Sequence, residues 1–331
     1  MKTIYNFLIV TIAFCGLMIM NLAVVAQDST KVINASMIKV DTASLTKVGS
    51  TDSTKSDSVD TEPVVKRKSF VKETFDGNYL IDNQTVMVPV KGSFIFSFQH
   101  RFGIVNNGFT DLFGIYANAI VRLGFSYVLV KNLQIGFGLV SGRMQADWNV
   151  KYALLKQTKD NAMPVSVSYF GNAVMDTRKR NATTLFVTVS DRLSYFNQII
   201  IARKFSDKLS IQVSPSLSHF NNLEGYLDSS GKVQPLMKNN FFAISFSGRY
   251  KISPQSSIIV NYDQPLTQIP ANNPHPNISI GLEVRTSGHD FEFFAGNYSA
   301  ILPQNNIMYN QNDYTKGQFL IGFNITRLWN F

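Results

Sequence analysis

The sequence is nearly devoid of cysteine. Its single cysteine, Cys15, lies close to the start of the chain. The remainder can form no disulfide framework, thiol nucleophile or thiolate metal site. Histidine is also scarce, with four scattered residues and no acidic cluster at metal-ligand spacing beside them. We therefore expect neither a metal nor another cofactor.

Long apolar runs are missing beyond the first 26 residues, and the mean hydropathy is +0.00. This argues against a bundle of membrane-spanning helices. The start of the chain differs, because Lys2 is followed by an apolar run over 7–25 and then by Ala26. That layout is typical of a cleaved secretory signal, and we predict a signal peptide over 1–26. A retained transmembrane helix is the alternative, although Asn21 interrupts the run.

Residues 27–68 are rich in Ser, Thr, Asp and Lys, and carry seven Lys/Arg against six Asp/Glu. Such a stretch buries too little apolar area to offset its ordering entropy. We predict a disordered periplasmic tether, which serves either as a spacer or as a docking segment for a periplasmic partner. Its balanced charge argues against a nucleic-acid-binding arm, and we expect no nucleic-acid partner.

From about residue 92 onward, apolar and polar residues alternate. Leu209, Ile211 and Val213, for example, are separated by Ser210 and Gln212. A period of two places each class of side chain on its own face of a β-strand. Soluble β-sandwiches alternate in the same way, so this pattern alone does not identify a membrane protein.

The length and number of the alternating segments indicate a membrane barrel. Each runs for about ten residues, close to the ~9–11 that a tilted strand needs to cross a bilayer. The alternating segments number twelve, and an even number of strands is expected of a single-chain bacterial barrel. The predicted strands are 92–102, 118–129, 132–142, 145–157, 163–174, 193–205, 208–221, 240–252, 255–264, 277–287, 289–298 and 317–329.

The connections alternate between short turns and long loops, as in outer-membrane barrels with periplasmic turns and extracellular loops. The short connection at 143–144 is an exception and leaves the strand count uncertain by one hairpin. The last strand ends in Trp329 and Phe331. This ending resembles the signal by which the barrel-assembly machinery recognises its substrates.

The sequence therefore predicts an all-β fold, a closed antiparallel transmembrane β-barrel of about 12 strands over 92–331. An open sheet would leave backbone groups unpaired in lipid. We expect the barrel to lie among outer-membrane lipid of a Gram-negative bacterium, with both termini periplasmic. The preceding segment, 69–91, is either a pre-barrel segment packed beneath the barrel or a plug inside it.

Several stretches of the chain are characteristic: Gln99-His-Arg-Phe-Gly103, Asp111-Leu-Phe-Gly-Ile-Tyr116, Lys151-Tyr-Ala-Leu-Leu-Lys156, Pro164-Val-Ser-Val-Ser168, Asp191-Arg-Leu-Ser-Tyr195, Ala202-Arg-Lys-Phe205, Ser253-Pro-Gln-Ser-Ser257 with Asp263-Gln-Pro265, and Phe294-Ala-Gly-Asn-Tyr298. They resemble an uncharacterised outer-membrane β-barrel family, the domain of unknown function 5777. The resemblance spans about 73–331 and implies a β-barrel, without implying an activity or any site residue.

If the apolar faces meet lipid, the alternate positions face the lumen. Residues 69–331 carry 23 Lys/Arg and 16 Asp/Glu. This surplus would attract small anions. Alternatively, the basic side chains contact lipid headgroups outside or pair with acids inside. The candidate lumen-lining residues are Arg122, Lys151, Gln212, Arg249, Glu283 and Arg285.

These features favour a narrow channel or facilitator for small polar solutes, with anions as one candidate class. The alternative is a non-conducting barrel that anchors or assists an envelope complex through 27–68. The third hypothesis, a barrel-embedded lipid hydrolase, is disfavoured. Ser218 and His219 are adjacent on a predicted strand and face opposite ways, so they cannot form a dyad. We therefore expect no enzymatic activity.

Overall fold

The computed structural model describes residues 69–180, 186–223 and 225–331. The predicted signal peptide and tether lie outside the described residues. Among the described residues there is one α-helix, α1, which spans Pro303–Tyr309. In chain order the strands are β1 (Tyr79–Leu80), β2 (Asn83–Gln84), β3 (Ser93–Ile104), β4 (Ile120–Val130), β5 (Leu133–Val140), β6 (Gln145–Leu155), β7 (Ser166–Asp176), β8 (Leu193–Lys204), β9 (Leu209–Phe220), β10 (Gly225–Leu227), β11 (Val233–Pro235), β12 (Asn240–Lys251), β13 (Ser256–Pro265), β14 (Asn277–Arg285), β15 (His289–Gly296) and β16 (Leu320–Asn330).

Strands β3 to β9 and β12 to β16 form one closed antiparallel barrel. Each strand pairs with its neighbours along the chain, and β16 closes the wall against β3, with Asn330 opposite Ser93. The predicted fold class and the count of twelve strands are confirmed. The remaining strands form two small pairs, β1 with β2 and β10 with β11. No helix in the described part of the chain is long and apolar enough to span a membrane.

The two rims of the barrel differ in the length of their connections. We call the rim where β3 begins and β16 ends the terminal rim. Its connections are 131–132, 156–165, 205–208, 252–255 and 286–288. The opposite rim, the loop rim, carries 105–119, 141–144, 177–192, 221–239, 266–276 and 297–319. The short connection at the loop rim is a real turn, closed by Met144 N donating to Ser141 O at 3.2 Å, so no hairpin is missing.

The outer face of the wall is apolar because alternate side chains of each strand point outward. Phe125, Val260 and Ile280 are 40, 43 and 59% exposed. Aromatic rings pack across neighbouring strands on this face, as Phe96 does with Phe125 at 5.4 Å between ring centroids. A continuous apolar exterior of this kind matches a hydrocarbon surrounding.

A charge placed on this face should destabilise the barrel in a bilayer. We expect Val260→Arg, near the middle of β13, to lower the free energy of unfolding by ~2–4 kcal/mol, because its guanidinium would enter hydrocarbon. The measurement is urea unfolding of the protein in lipid vesicles. Ser229→Arg, in an exposed turn at the loop rim, is the matched control and should leave the transition unchanged. Equal transitions for the two variants would contradict lipid contact at Val260.

Candidate functional site

The lumen is occupied by residues 74–88, which we call the plug hairpin. The chain approaches it at the terminal rim, where Phe70 forms an isolated antiparallel β-bridge with Thr158. It turns between β1 and β2 and returns to the same rim, where Gly92 N donates to Val128 O at 2.9 Å. Both ends of the plug hairpin therefore leave the barrel on the same side.

The tip of the plug hairpin is hydrogen-bonded to polar groups of the wall. Ile81 N donates to Glu292 Oε1 at 3.1 Å, and Asn324 Nδ2 donates to Ile81 O at 2.6 Å. Asn83 Nδ2 donates to Asp263 Oδ1 at 2.8 Å. These contacts hold Ile81 at φ 63°, a left-handed conformation that is unfavourable for a β-branched residue. The wall therefore determines the backbone shape of the tip.

The returning leg of the plug hairpin contacts the opposite part of the wall. Lys151 Nζ donates to Gln84 Oε1 at 3.1 Å and to Thr85 O at 3.4 Å. Gln212 Nε2 donates to Gln84 O at 2.7 Å. Lys151 is fully buried, and no carboxylate pairs with it among the described residues. The hydrogen-bond acceptors of the Lys151 ammonium group are thus uncharged oxygen atoms of the plug hairpin.

An ionic cluster anchors the entering leg. Asp76 lies 2.7 Å from Arg249 Nη1, 3.1 Å from Lys251 Nζ and 3.3 Å from Arg285 Nη1. Burial opposes ionisation of Asp76, but Arg249 and Lys251 outweigh it and lower the pKa of the carboxyl. Arg249 also lies 3.8 Å from Glu283. Three candidate lumen residues, Arg249, Glu283 and Arg285, thus lie in or beside one cluster.

One side of the plug hairpin is apolar. The buried apolar side chains on this side are Phe75, Leu80, Ile81 and Val86. They share a core cluster with wall residues that include Phe170, Phe196, Phe241, Ile259 and Phe294. The barrel interior is therefore a protein core with a polar and an apolar sector.

From the loop rim, α1 reaches inward and meets the plug hairpin. Asn306 Nδ2 donates to Asp82 Oδ2 at 3.3 Å, and Asn305 Nδ2 donates to Gln145 Oε1 at 2.8 Å. Asp82 also accepts a 2.6 Å hydrogen bond from the Tyr298 hydroxyl. The plug hairpin and α1 together occupy the lumen between the two rims.

Little open volume remains between the plug hairpin and the wall. An interior cavity of about 20 Å³ is lined by Tyr79, Asn172 and Gln198, among others. One water molecule needs about 10–15 Å³. Among the described residues, the plug hairpin and α1 thus fill much of the interior of the twelve-stranded wall.

The candidate lumen residue Arg122 lies in the wall beyond the plug hairpin. Its Nε and Nη2 atoms each lie 2.8 Å from the Asp147 carboxylate, and Nη1 lies 3.1 Å from Gln99 Oε1. The inward position of Gly138 has no side chain, and a Cβ there would overlap Asp147 and Arg122. The glycine therefore makes room for a buried bidentate ion pair, which is the strongest geometry for this pair of residues.

Sequence reasoning identified Glu283 as an acidic residue of the lumen but missed Asp76, Asp82, Asp147 and Asp263. Asp147 and Asp263 occupy inward positions of β6 and β13, so the alternation contains a signal that would have found them. Asp76 and Asp82 lie outside the alternating segments, and no sequence pattern assigns them to the lumen. The basic surplus of the chain is therefore accompanied by buried carboxylates.

The proposed assembly signal lies at the end of β16. The ring of Trp329 faces outward, with its centroid 5.6 Å from that of Phe94, and Arg327 Cζ lies 4.7 Å from the Trp329 ring centroid. Phe331 follows the strand and is 88% exposed. Recognition of Trp329 and Phe331 by the assembly machinery stays a prediction.

The structure separates Ser218 from His219, as expected for neighbours on a strand. Ser218 is fully buried on the lumen side. The ring nitrogens of His219 lie 2.7 Å from Asn240 Oδ1 and 3.1 Å from Asn221 Oδ1. The two side chains thus do not form a nucleophile and base pair.

Solved structures with a similar barrel have low sequence identity to the chain. The NanC porin is 10% identical with a TM-score of 0.43, and covers 72% of this chain and 99% of its own. An outer membrane channel from Pseudomonas putida F1 is 13% identical with a TM-score of 0.43, covering 73% and 97%. The KdgM porin is 8% identical with a TM-score of 0.42, covering 71% and 98%. Similarities this low identify no substrate.

At the sequence level, no curated protein matches the chain. A protein family, described as a membrane bound beta barrel domain, matches residues 75–329. The match begins at the plug hairpin and ends in β16, so it includes both the plug hairpin and the complete wall. The chain belongs to this family of membrane bound β-barrel domains, DUF5777.

Proposed function

We propose that the protein is an outer-membrane channel for small polar solutes that its own residues 69–91 hold closed. The observation that carries this proposal is the polarity of the wall behind the plug hairpin. Buried polar atoms on β7, β8, β9 and β12 have no hydrogen-bond partner among the described residues. They include Asn172 Oδ1, Gln198 Nε2 and the hydroxyls of Ser210, Ser214, Ser218 and Ser247.

An unpaired buried polar group is unfavourable by about 1–3 kcal/mol. A wall that served only as an anchor would be more stable with apolar residues at these positions. When water fills the lumen, the same polar groups can form hydrogen bonds with it, and the energetic penalty of leaving them unpaired is removed. The wall is therefore suited to a hydrated passage, which forms when the plug hairpin withdraws.

The path of the plug hairpin permits withdrawal. Both legs join the rest of the chain at the terminal rim, at Phe70 and at Gly92. The hairpin can leave through that rim without threading the chain through the wall and without breaking a strand pair of the barrel. The predicted tether, 27–68, precedes the entering leg, so a periplasmic partner that pulls on the tether would act directly on it.

Anions are the favoured solutes because of the cluster around Asp76. Arg249, Lys251 and Arg285 converge on this one carboxylate. When the plug hairpin leaves, Asp76 leaves with it, and the three cations remain on the wall. Glu283 lies 3.8 Å from Arg249, and Asp290 is opposite Arg285 in the register of β14 and β15, so these wall carboxylates offset part of that charge. A small carboxylate or phosphate in the passage would take the place of Asp76.

The Asp76 cluster provides the first test of this closed state. We expect Asp76→Asn to raise the open probability in a planar bilayer about thirtyfold, because loss of the buried ion pairs weakens plug binding by on the order of 2 kcal/mol. The open state should prefer anions in a salt gradient. Asp111→Asn, at the loop rim, is the control and should remain as silent as the natural chain. Open probabilities as low as the control's would refute closure by Asp76.

A cross-link tests whether the plug hairpin itself is the gate. The bridge between Phe70 and Thr158 lacks direct hydrogen bonds, because Val71 N donates to Gln157 O and Lys159 N to Ser69 O. Paired Cα atoms at such a position lie ~4.5 Å apart, within the range that a disulfide requires. We expect Phe70→Cys with Thr158→Cys, added to Asp76→Asn, to stop the conductance when oxidised.

Reduction of this disulfide should restore the conductance, and each single cysteine variant should conduct under both conditions. A retained heat-resistant folded band on a gel confirms that the barrel is intact. Conductance that persists in the oxidised double cysteine variant would place the passage elsewhere.

The second candidate is a permanently closed barrel that anchors an envelope complex. The apolar sector supports it, because Phe75 and Leu80 are fully buried and make withdrawal less favourable. In that case 27–68 binds a periplasmic partner.

Deletion of residues 27–68 separates the two candidates. A gated channel with the Asp76→Asn substitution should keep its conductance after the deletion, since the plug hairpin and wall are unchanged. An anchor should instead show no conductance in either form and lose its partner in a pull-down from envelope extracts. The measurement combines bilayer recording with the pull-down, and an equally long Gly/Ser replacement of 27–68 controls for spacing.

A further inference from the structure

A second cavity lies at the loop rim, on the outer side of α1. We call it the vestibule, and its volume is about 220 Å³. It lies between the turn at 141–144 and the loop that carries α1. Pockets for drug-sized ligands start near 300 Å³, so the vestibule fits a single small ring. Its lining includes Arg143, Gln145, Asn305, Asn306 and Tyr309.

The lining of the vestibule is rich in side-chain amides. Six of its residues are Asn or Gln, whereas none is Asp or Glu and only Arg143 carries a fixed charge. An amide side chain offers two hydrogen-bond donors and an acceptor. The lining is therefore suited to a ligand that both donates and accepts hydrogen bonds.

Two of these amides have acceptors without a partner. Asn306 and Asn305 use their Nδ2 groups on Asp82 and Gln145. Their Oδ1 atoms are buried and unpaired among the described residues. Since the Asp82 carboxylate attracts a donor, it turns the acceptor of Asn306 away from itself. Such buried acceptors require a donor from a ligand or from water.

The vestibule also has an aromatic and apolar side. Arg143 Cζ lies over the Tyr309 ring, 4.5 Å from its centroid. Ile120, Val140 and Ile301 contribute apolar surface to the same cavity. A ligand with an apolar face and a polar edge would match both parts of the lining.

We propose that the vestibule binds one small polyhydroxylated ring, of the size of a monosaccharide. Its hydroxyl groups donate to Asn305 and Asn306 and accept from the amides, while its C–H face packs on the apolar side. An anion without a hydroxyl group, such as acetate, has no hydrogen to donate to the unpaired oxygens, and an apolar compound would leave Oδ1 of Asn305 and Asn306 without a donor. No residue of 69–91 lines the vestibule, so the proposal does not rest on the gating proposed above.

Saturation-transfer NMR on the detergent-folded full chain tests this site. The probes are D-glucose, D-galactose and D-glucuronate, with acetate as the anion that lacks hydroxyl groups. We expect the sugars to give a saturable signal and acetate to give none. Asn306→Ala should weaken sugar binding about fivefold or more, the usual effect of losing one well-placed hydrogen bond.

Asn106→Ala is the matched control, because Asn106 is an exposed amide in another loop of the same rim. It should bind the sugars as the natural chain does. Because Asn306 also contacts Asp82, Asn305→Ala is measured as well and should show the same loss. A folded band on a gel is required of each variant. Binding of acetate as strong as that of the sugars, sugar binding unaffected by both substitutions, or no sugar binding would each overturn the proposal.

Discussion

The pairing of the inward polar groups of a closed wall is the constraint on which the rest of this structure depends. Twelve strands bury guanidinium, carboxylate and amide groups on one face, and each such group is unfavourable unless it is hydrogen-bonded. Arg122 finds its partner within the wall, in Asp147. Arg249 and Lys151 find theirs on the plug hairpin, in Asp76 and Gln84. The plug hairpin is therefore part of the electrostatic balance of the barrel as well as its obstruction.

This balance distinguishes two kinds of contact inside the lumen. The ion pairs of Asp76 and the hydrogen bonds at Ile81 can be exchanged for water, which makes their rupture reversible. The apolar sector around Phe75 and Leu80 resists hydration and stabilises the closed form. A plug hairpin with both polar and apolar contacts is consistent with a barrel that is closed in its resting state. The unpaired hydroxyls of the wall behind the plug hairpin are consistent with a lumen that can be hydrated.

The two rims have different chemistry and are connected through one residue. The terminal rim holds the ionic cluster, whereas the loop rim holds the amide-lined vestibule. Asp82, at the tip of the plug hairpin, accepts from Asn306, which also lines the vestibule. A ligand that binds Asn306 would thus contact a residue that holds the plug hairpin. This connection gives a physical path from solute recognition at one rim to plug binding at the other.

The sequence alone determined the wall, because period-two alternation is local and each strand shows it independently of the others. The inward parity of Arg122 and Asp147 follows from that pattern. The short turn at 141–144 left the strand count uncertain by one hairpin, and the structure settled it. Only the tertiary structure decided what fills the lumen. The contacts of the plug hairpin join distant residues, such as Asn324 and Ile81, which are 243 positions apart. No local period encodes such a pairing, since it depends on the curvature of the closed wall and on which side chains it brings face to face.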